Sequence, residues 1–197
     1  MSATDSRLKA ALAAFDAANA GDPTTETVAG RPVPAALVYG QRMSRRLTAF
    51  APDASEPLRL AVRAQHLLRW TIPRASYPAG RRGYHRWRTD LAAFHAEQAG
   101  AILRGVGYEE ETVARVQTLL RKERLRWDPE VQTLEDVACL VFLEHHLGDF
   151  AAKTPEDKVV DILRKTWHKM SEPGHQAALA LPLPAPLAAL VARALGR

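Results

Sequence analysis

His66, His95 and Asp136 carry the side chains of this sequence that are best suited to bind a divalent metal. Each lies in or beside an apolar stretch whose helical spacing turns it towards a core. Metal sites in helical proteins take imidazole and carboxylate ligands from facing helices, because no single helix can surround an ion. The three residues therefore predict one interior site for Mn, Fe or Zn, where the ion would lower the pKa of a bound water for hydrolysis.

The residues around these three suit an anionic ligand. Arg69, Arg74 and Arg88 would neutralise negative charge, because guanidinium forks match phosphate and carboxylate groups. Gln65 shares the apolar face of its segment and needs a polar partner there. Glu135 is a candidate general base, although its helical position turns it to another face than its neighbour.

Each candidate also has a structural interpretation. Asp136 and Thr133 fit a capping-box-like helix start, where an acid is favourable. His95 fits a core histidine that is hydrogen-bonded to a carbonyl or to Arg88. Gln65 and its neighbour fit a buried amide that bridges two helices.

A helical bundle would position these side chains. Apolar residues recur at helical spacing between glycines, prolines and capping residues. No segment predicts a strand, and two prolines and a glycine argue against one in residues 24–34. We expect one all-α domain over residues 1–197 with roughly eight helices, including a short C-terminal capping helix at 187–195. The predicted helices cover residues 6–20, 35–50, 55–70, 84–104, 109–124, a segment that begins at Thr133, 155–170 and 187–195.

Two arginine-rich segments have two interpretations each. Residues 71–83 contain prolines and three arginines, which predicts either an ordered lid that holds an anion or a surface loop with solvated side chains. Tyr84 follows this connection and begins the helical stripe that contains His95. The segment Arg121 to Arg126 is either a solvated face or a contact for nucleic acid.

Composition limits the class of protein. The chain has 197 residues, of which 47% are hydrophobic and 25% are charged, as in an ordinary globular domain. No apolar run approaches the roughly 20 residues of a membrane span, and the N-terminus lacks the pattern of a secretory signal. With a single cysteine as well, we expect a cytoplasmic protein without a membrane partner. The net charge of +5 favours a small anionic or phosphorylated ligand and is too low to favour nucleic acid.

Five segments carry a resemblance to a known family: residues 39–43, 65–70, 83–88, 135–144 and 165–171. Over nearly its whole length the chain resembles an uncharacterised family of bacterial and fungal proteins that is catalogued as domain of unknown function 4202. This resemblance implies no activity.

A more distant similarity is to the HD superfamily of helical metal-dependent phosphohydrolases. The positions of its adjacent His and Asp ligands fall on Gln65 and His66, a histidine of some members falls on His95, and the late Asp ligand falls on Asp136. The similarity implies an HD-like fold and a divalent metal.

Four positions depart from the HD pattern. Tyr39 lies near the position of the first histidine ligand, and Lys122 lies near a downstream histidine of the two-metal members. Gln65 and His66 stand where the pattern has an adjacent histidine and aspartate. The resemblance therefore implies a rearranged site that uses His66, His95 and Asp136. Otherwise the metal has been lost and the pocket binds something else. We also expect Tyr39 and Tyr84 to contact the ligand and Lys122 to have a catalytic role.

These observations lead to one main hypothesis and two alternatives. The main hypothesis is an HD-like metal-dependent hydrolase that acts on a small phosphorylated or anionic substrate. The first alternative is a non-catalytic module that binds RNA or a nucleotide. The second is an interaction protein in which these residues only stabilise the fold.

Overall fold

The chain forms helices over most of its length, as a computed structural model that describes residues 3–125 and 127–196 shows. The backbone divides into two compact units; unit 1 ends at Arg124 and unit 2 begins at Leu125. The predicted all-α class is confirmed at this level, apart from one small hairpin. The expected single domain stays a prediction.

The described residues contain ten α-helices, against the roughly eight predicted, and two short 3-10 turns. Two helices, α7 and α9, have no counterpart among the predicted ones. Unit 1 contains α1 (Ala3–Asn19), β1 (Thr25–Val28), β2 (Arg31–Pro34), α2 (Ala35–Phe50), α3 (Glu56–Ala64), α4 (Gly80–Gly105) and α5 (Glu110–Arg121). Unit 2 contains α6 (Pro129–His145), α7 (Leu147–Ala152), α8 (Glu156–Trp167), α9 (Glu172–Leu179) and α10 (Ala185–Ala194). In the described part of the chain no helix is both long and apolar enough to cross a membrane.

The hairpin of β1 and β2 shows that the prediction of a strandless loop is wrong. The two strands pair antiparallel, with Thr25 opposite Pro34. Ala29 and Gly30 connect them with φ angles of 49° and 76°, both positive, as a type I′ turn requires. Prolines are tolerated here because each strand of a two-stranded sheet is an edge strand and leaves some backbone N–H groups unpaired.

Helix α3 lies at the centre of unit 1, in contact with α1, α2, α4 and α5. Ser55 caps its N-terminus, where the Ser55 Oγ accepts a hydrogen bond from the Leu58 N–H at 3.2 Å. Near its C-terminus, the Arg63 guanidinium donates to both carboxylate oxygens of Asp16, at 2.7 and 2.5 Å. This bidentate pair holds α3 against α1 and so sets the position of the turn that follows.

Helix α3 ends at Ala64, so the prediction that it continues to about residue 70 is wrong. Leu68 has a φ of 54°, a left-handed conformation that an α-helix cannot contain. The side-chain oxygen of Asn19 accepts the Leu68 N–H at 3.0 Å, and the Asn19 amide donates to a carbonyl of α2 at 3.4 Å. Because Asn19 is only 1% exposed, these bonds hold the turn over residues 65–68 in its strained conformation.

Much of the predicted connection at residues 71–83 is helical. They include the end of the 3-10 turn Arg69–Thr71, a second 3-10 turn at Arg74–Ser76, and the first residues of α4, which begins at Gly80. Gly83 lies in the first turn of α4, and a Cβ built on it would stand 1.9 Å from the carbonyl oxygen of Pro78. Only glycine fits such a close approach of two backbones.

Helix α4 buries the middle of the predicted stripe around His95 but not its beginning. Tyr84 and Arg88, which were expected to begin the stripe, are exposed, whereas the neighbouring Trp87 is buried. His95 is 4% exposed, which confirms that it faces the core. The buried residues of α4 are Gly83, Trp87, Leu91, His95, Ala96, Ala99, Gly100 and Leu103.

Helix α6 begins at Pro129, four residues before the predicted start at Thr133. Asp128 caps it and accepts hydrogen bonds from two backbone N–H groups at 3.0 and 3.4 Å. Asp136 therefore lies about two turns inside the helix, and the capping-box interpretation of this residue is wrong. It is 2% exposed and belongs to the core of unit 2.

Candidate functional site

Unit 1 brings two of the predicted histidines together. Tyr39 on α2 stacks on His66, with ring centroids 3.8 Å apart and an angle of 13° between the planes. His66 lies in the turn after α3, and its ring centroid is 6.2 Å from that of His95 on α4. Three elements of unit 1 thus meet at one place, which we call the imidazole cluster: Tyr39, His66 and His95.

His95 has one ring nitrogen in use. Its Nδ1 lies 2.7 Å from the carbonyl oxygen of Leu67, which can only accept a hydrogen bond. Nδ1 therefore carries the proton and donates it, and Nε2 carries the lone pair. Within the described residues no hydrogen-bond partner lies near the buried Nε2. Burial lowers the pKa of His95 to about 4, so the ring is neutral at pH 7.

His66 is neutral for a similar reason. Burial is the largest cause that holds its pKa well below the usual value of 6.5. The positive charges of Arg69, Arg88 and Lys122 lower that pKa further, as does His95. The cluster is therefore a pair of uncharged imidazoles within reach of three cationic side chains.

Arg69 is the cation most firmly placed by the fold. Its guanidinium lies over the ring of Trp87, 4.7 Å from the ring centroid. Trp87 in turn donates its indole N–H to the Ile72 carbonyl oxygen at 2.9 Å, which fixes the ring. Burial and the charge of Arg88 lower the pKa of Arg69, whereas Tyr39 and Tyr84 oppose them.

The described residues offer no carboxylate that balances this positive charge. Among the residues that the structure describes, no Asp or Glu forms an ion pair with Arg69 or Arg88. Elsewhere in unit 1 arginines are paired; Arg63, for example, binds Asp16 through two hydrogen bonds. Two guanidinium groups near two neutral imidazoles, without an acid, form a local excess of positive charge that suits an anion.

The other predicted ligand-binding residues of unit 1 have different surroundings. Arg74 donates to the carbonyl oxygens of Tyr77 and Pro78, both at 2.9 Å, and so braces its own loop. Tyr84 is 46% exposed and its ring centroid lies 5.9 Å from that of Trp87. Both assignments to ligand binding stay predictions, and so does the catalytic role of Lys122, which ends α5 with a φ of 55°.

Gln65 is buried, as predicted, although it lies at the end of α3 and not inside it. It is 8% exposed, and its Oε1 has no hydrogen-bond partner in the described residues. The expected bridging partner on another helix is therefore not provided by the described protein atoms. A buried acceptor without a partner is a costly feature in a folded protein, and it is often a place where a ligand or water binds.

Unit 2 contains the two predicted acids. The Asp136 carboxylate accepts the Ser171 N–H at 2.8 Å and the Ser171 hydroxyl at 2.6 Å, and the Gln132 side-chain amide at 3.2 Å. Ser171 is the N-cap of α9, so Asp136 joins α6 to the start of α9. Glu135 is 6% exposed, and its Oε1 lies 3.7 Å from the Lys169 Nζ.

A protein-family model matches residues 9–191 of the chain. Its description is Domain of unknown function (DUF4202). The chain belongs to this family. A search of curated proteins found no match, and neither did a search of solved structures.

In this member of the DUF4202 family, the described residues of neither unit gather a complete set of metal ligands. In the described parts of unit 1 and of unit 2, no three His, Cys, Asp or Glu side chains lie together in a way that could hold an ion. The predicted set takes His66 and His95 from unit 1 and Asp136 from unit 2. Its convergence on one ion stays a prediction.

Sequence reasoning missed three residues of the DUF4202 chain that shape these sites. Trp87 supports Arg69, Asn19 holds the turn that carries His66, and Ser171 binds Asp136. Trp87 was accessible from the sequence, because it lies eight residues before His95 and so on the same face of a helix. Asn19 lies four residues after the buried Phe15, so its burial was accessible as well. The partners of Asn19 and Ser171 were not, since they are 49 and 35 residues away.

Proposed function

We propose that unit 1 binds a small phosphorylated or otherwise anionic ligand at the imidazole cluster. The observation that carries this proposal is the unbalanced charge there: the guanidinium groups of Arg69 and Arg88 act on the same two neutral imidazoles, and no carboxylate pairs with them in the described residues. Burial is the largest cause that lowers the pKa of Arg69, and the charge of Arg88 lowers it further; an anion between the two guanidinium groups would offset their repulsion.

The form of the cluster favours a preorganised binding site. Its groups come from one helix, one turn and a second helix, and the rings of Tyr39 and His66 are stacked. Arg69 is held against Trp87, so its planar fork is oriented before a ligand arrives, and such preorganisation favours binding.

Titration calorimetry with inorganic pyrophosphate tests the proposal. The unmodified protein should bind in a saturable way, and Arg69→Gln should weaken binding by roughly ten- to hundredfold, since it removes a charge-assisted hydrogen-bond donor. Arg86→Gln is the matched control, because Arg86 also lies beside Trp87 in the chain but is 77% exposed and pairs with Asp90. If pyrophosphate, phosphate and nucleoside monophosphates all fail to bind, the proposal is wrong.

A finer proposal makes this ligand a substrate of an HD-like, metal-dependent hydrolase. The observation in its favour is the hydrogen bond from His95 Nδ1 to a backbone carbonyl, which is how metal-binding histidines commonly orient the lone pair of the other nitrogen. Against it stands the lack of a third ligand beside His66 and His95 in the described part of unit 1, since hydrolytic zinc sites use three. A bound ion would supply an activated water, but these residues alone do not fit such an ion.

Elemental analysis of the purified full chain tests this finer proposal. Stoichiometric Mn, Fe or Zn that is lost in both His66→Ala and His95→Ala would support a metal site. Absence of metal after reloading would remove the hydrolase and leave anion binding intact.

The alternative is a module that binds RNA or a nucleotide without chemistry. The basic segment that would support it is already partly paired, because Arg121 contacts Glu123 at 2.6 Å, and Arg126 lies outside the described residues. The dependence of affinity on salt separates the two proposals. A nucleic-acid interface that contacts several phosphates should lose roughly a thousandfold in affinity between low and moderate salt, whereas a small-anion site should lose far less.

A further inference from the structure

The imidazole cluster offers a hydrogen-bond acceptor to a ligand, in addition to the positive charge of the arginines around it. A neutral His95 whose Nδ1 donates to the Leu67 carbonyl presents only a lone pair at Nε2. That nitrogen is buried, and in the described part of the chain it has no partner. The side chain as a whole is 4% exposed, so bulk water does not readily satisfy it.

A second buried acceptor comes from the same turn. Gln65 is 8% exposed, and its Oε1 also has no hydrogen-bond partner among the described residues. Gln65 and Leu67 flank His66, so the backbone that orients His95 also carries this amide. The turn and the helix that it contacts thus leave two buried acceptors without donors in the described residues.

These acceptors and cations make opposite demands on a ligand. The guanidinium groups of Arg69 and Arg88 require negative charge, whereas a lone pair at Nε2 repels a bare anionic oxygen. A ligand that satisfies both must carry a negative charge and also a proton on an oxygen or nitrogen. A buried acceptor that meets a second lone pair weakens binding by roughly ten- to hundredfold, so the second demand decides which anions bind.

We propose that the anion bound at the imidazole cluster donates a hydrogen bond from its own hydroxyl group to Nε2 of His95. This inference rests on the proposed anion site and narrows its ligand to a phosphate that keeps a P–OH group, or to a phosphate ester whose organic part carries a hydroxyl. Sulfate and other anions without a donor are excluded as good ligands. The same geometry gives His95 a specificity role, because the lone pair selects for the proton.

Inorganic phosphate and sulfate separate this inference from simple charge attraction. The two anions have nearly the same size and shape, but at about pH 5.5 phosphate is mostly a monoanion with hydroxyl groups, and sulfate is a dianion without a proton. That pH lies above the His95 pKa of about 4, so the imidazole stays neutral. Attraction to cations alone would favour sulfate. We expect phosphate to bind at least roughly tenfold more tightly in calorimetric titrations at matched ionic strength.

Two substitutions at His95 locate the effect. In His95→Asn the side-chain amide can still donate to the Leu67 carbonyl, but no atom replaces Nε2, so the preference for phosphate should fall by about tenfold. In His95→Gln the amide oxygen reaches the position of Nε2 and the preference should stay within about threefold of the unmodified protein. Circular dichroism of both variants shows whether they are folded.

A comparison of glycerol phosphate with ethyl phosphate at about pH 8.5 identifies the donor, because neither phosphate group then keeps a proton. Tighter binding of glycerol phosphate assigns the donor to a hydroxyl of the organic part. Equal affinities that both rise on acidification assign it to P–OH.

Two results would overturn the inference in different ways. If sulfate binds as tightly as phosphate, or if His95→Asn keeps the full preference, the hydrogen bond to Nε2 does not exist, while anion binding stands. If neither anion binds to the folded protein, the inference and the proposed function fail together.

Discussion

Replacing Asp136 by alanine separates a structural acid from a metal ligand. The carboxylate is 2% exposed and accepts three hydrogen bonds, two of them from the backbone N–H and the hydroxyl of Ser171, at 2.8 and 2.6 Å. The third donor, the amide of Gln132, also donates to the Lys169 carbonyl at 2.9 Å, so it loses little. The loss of stability in Asp136→Ala therefore comes mainly from the two hydrogen bonds of Ser171, at the N-terminus of α9.

The size of the effect follows from these bonds. A bond from a partly buried N–H to a charged acceptor is worth about 2 kcal/mol, and a hydroxyl that no longer holds its position weakens an N-cap worth about 1 kcal/mol. The Ser171 Oγ makes this cap, since it accepts the Gly174 N–H at 3.2 Å. We expect Asp136→Ala to lower the free energy of unfolding by about 3 kcal/mol.

Urea unfolding followed by circular dichroism measures this difference, with phosphate binding as a second readout. Asp161→Ala is the control: Asp161 is also in unit 2 but is 55% exposed and pairs with Lys165, so its loss should change stability by less than about 0.5 kcal/mol. Phosphate affinity should not change in either variant. The reasoning is refuted if Asp136→Ala is as stable as the control, or if it keeps its stability and loses a bound metal.

Three further predictions concern unit 1. Protonation of His95 should lower the unfolding free energy by roughly 3 kcal/mol as the pH drops from 6.5 to about 4. Burial lowers the pKa of His95 to about 4 in the folded protein, so the unfolded chain binds the proton first. In urea titrations between these pH values, His95→Gln should lack this contribution. Gly83→Ala should destabilise the protein by more than about 3 kcal/mol, since its Cβ would stand 1.9 Å from the Pro78 carbonyl oxygen. Gly105→Ala is the control: a Cβ at this position would have no atom within 4 Å, so thermal melts should show a neutral or stabilising effect. Asp22→Ala should cost about 2 kcal/mol in the same melts, because its carboxylate accepts two backbone N–H groups at 2.9 Å each; an unchanged melting temperature would contradict this.

The sequence predicts helices well where both the apolar spacing and the end signals are local. Helix α8 illustrates this, since it lies within the predicted range 155–170 and ends close to it. The start of α6 was misplaced although its signal was present: Asp128, Pro129 and Glu130 are a cap, a first-turn proline and a first-turn acid. Hydrophobic periodicity places the helix start later than this cap does, because the continuous apolar run begins further along the helix.

Long-range contacts account for the errors that the sequence could not have avoided. Periodicity alone carries α3 through Gln65 to about residue 70, since nothing between is a helix breaker. The helix ends at Ala64 because Asn19, from α1, accepts the N–H of Leu68 and fixes it with a positive φ. A contact over 49 residues leaves no mark in a window of eleven to eighteen residues.

The candidate site was predictable in its residue types but not in its connections. Three polar side chains on apolar faces, Gln65, His95 and Asp136, were expected to be buried, and all three are. Burial does not distinguish a structural group from a functional one, because every buried polar group needs a partner in either case. Whether the protein itself supplies that partner can only be read from coordinates.

The two units differ in whether their buried polar groups find partners within the protein, and this suggests different roles for them. Asp136 has its oxygens engaged by donors from its own unit, so a ligand there would have to displace existing hydrogen bonds. His95 and Gln65 keep acceptors that the described protein atoms leave unpaired, next to arginines without acids. A fold tolerates such an arrangement at a cost in stability, and binding recovers that cost when the ligand supplies both the charge and the proton. We therefore expect a ligand to gain more free energy of binding at the imidazole cluster than at Asp136.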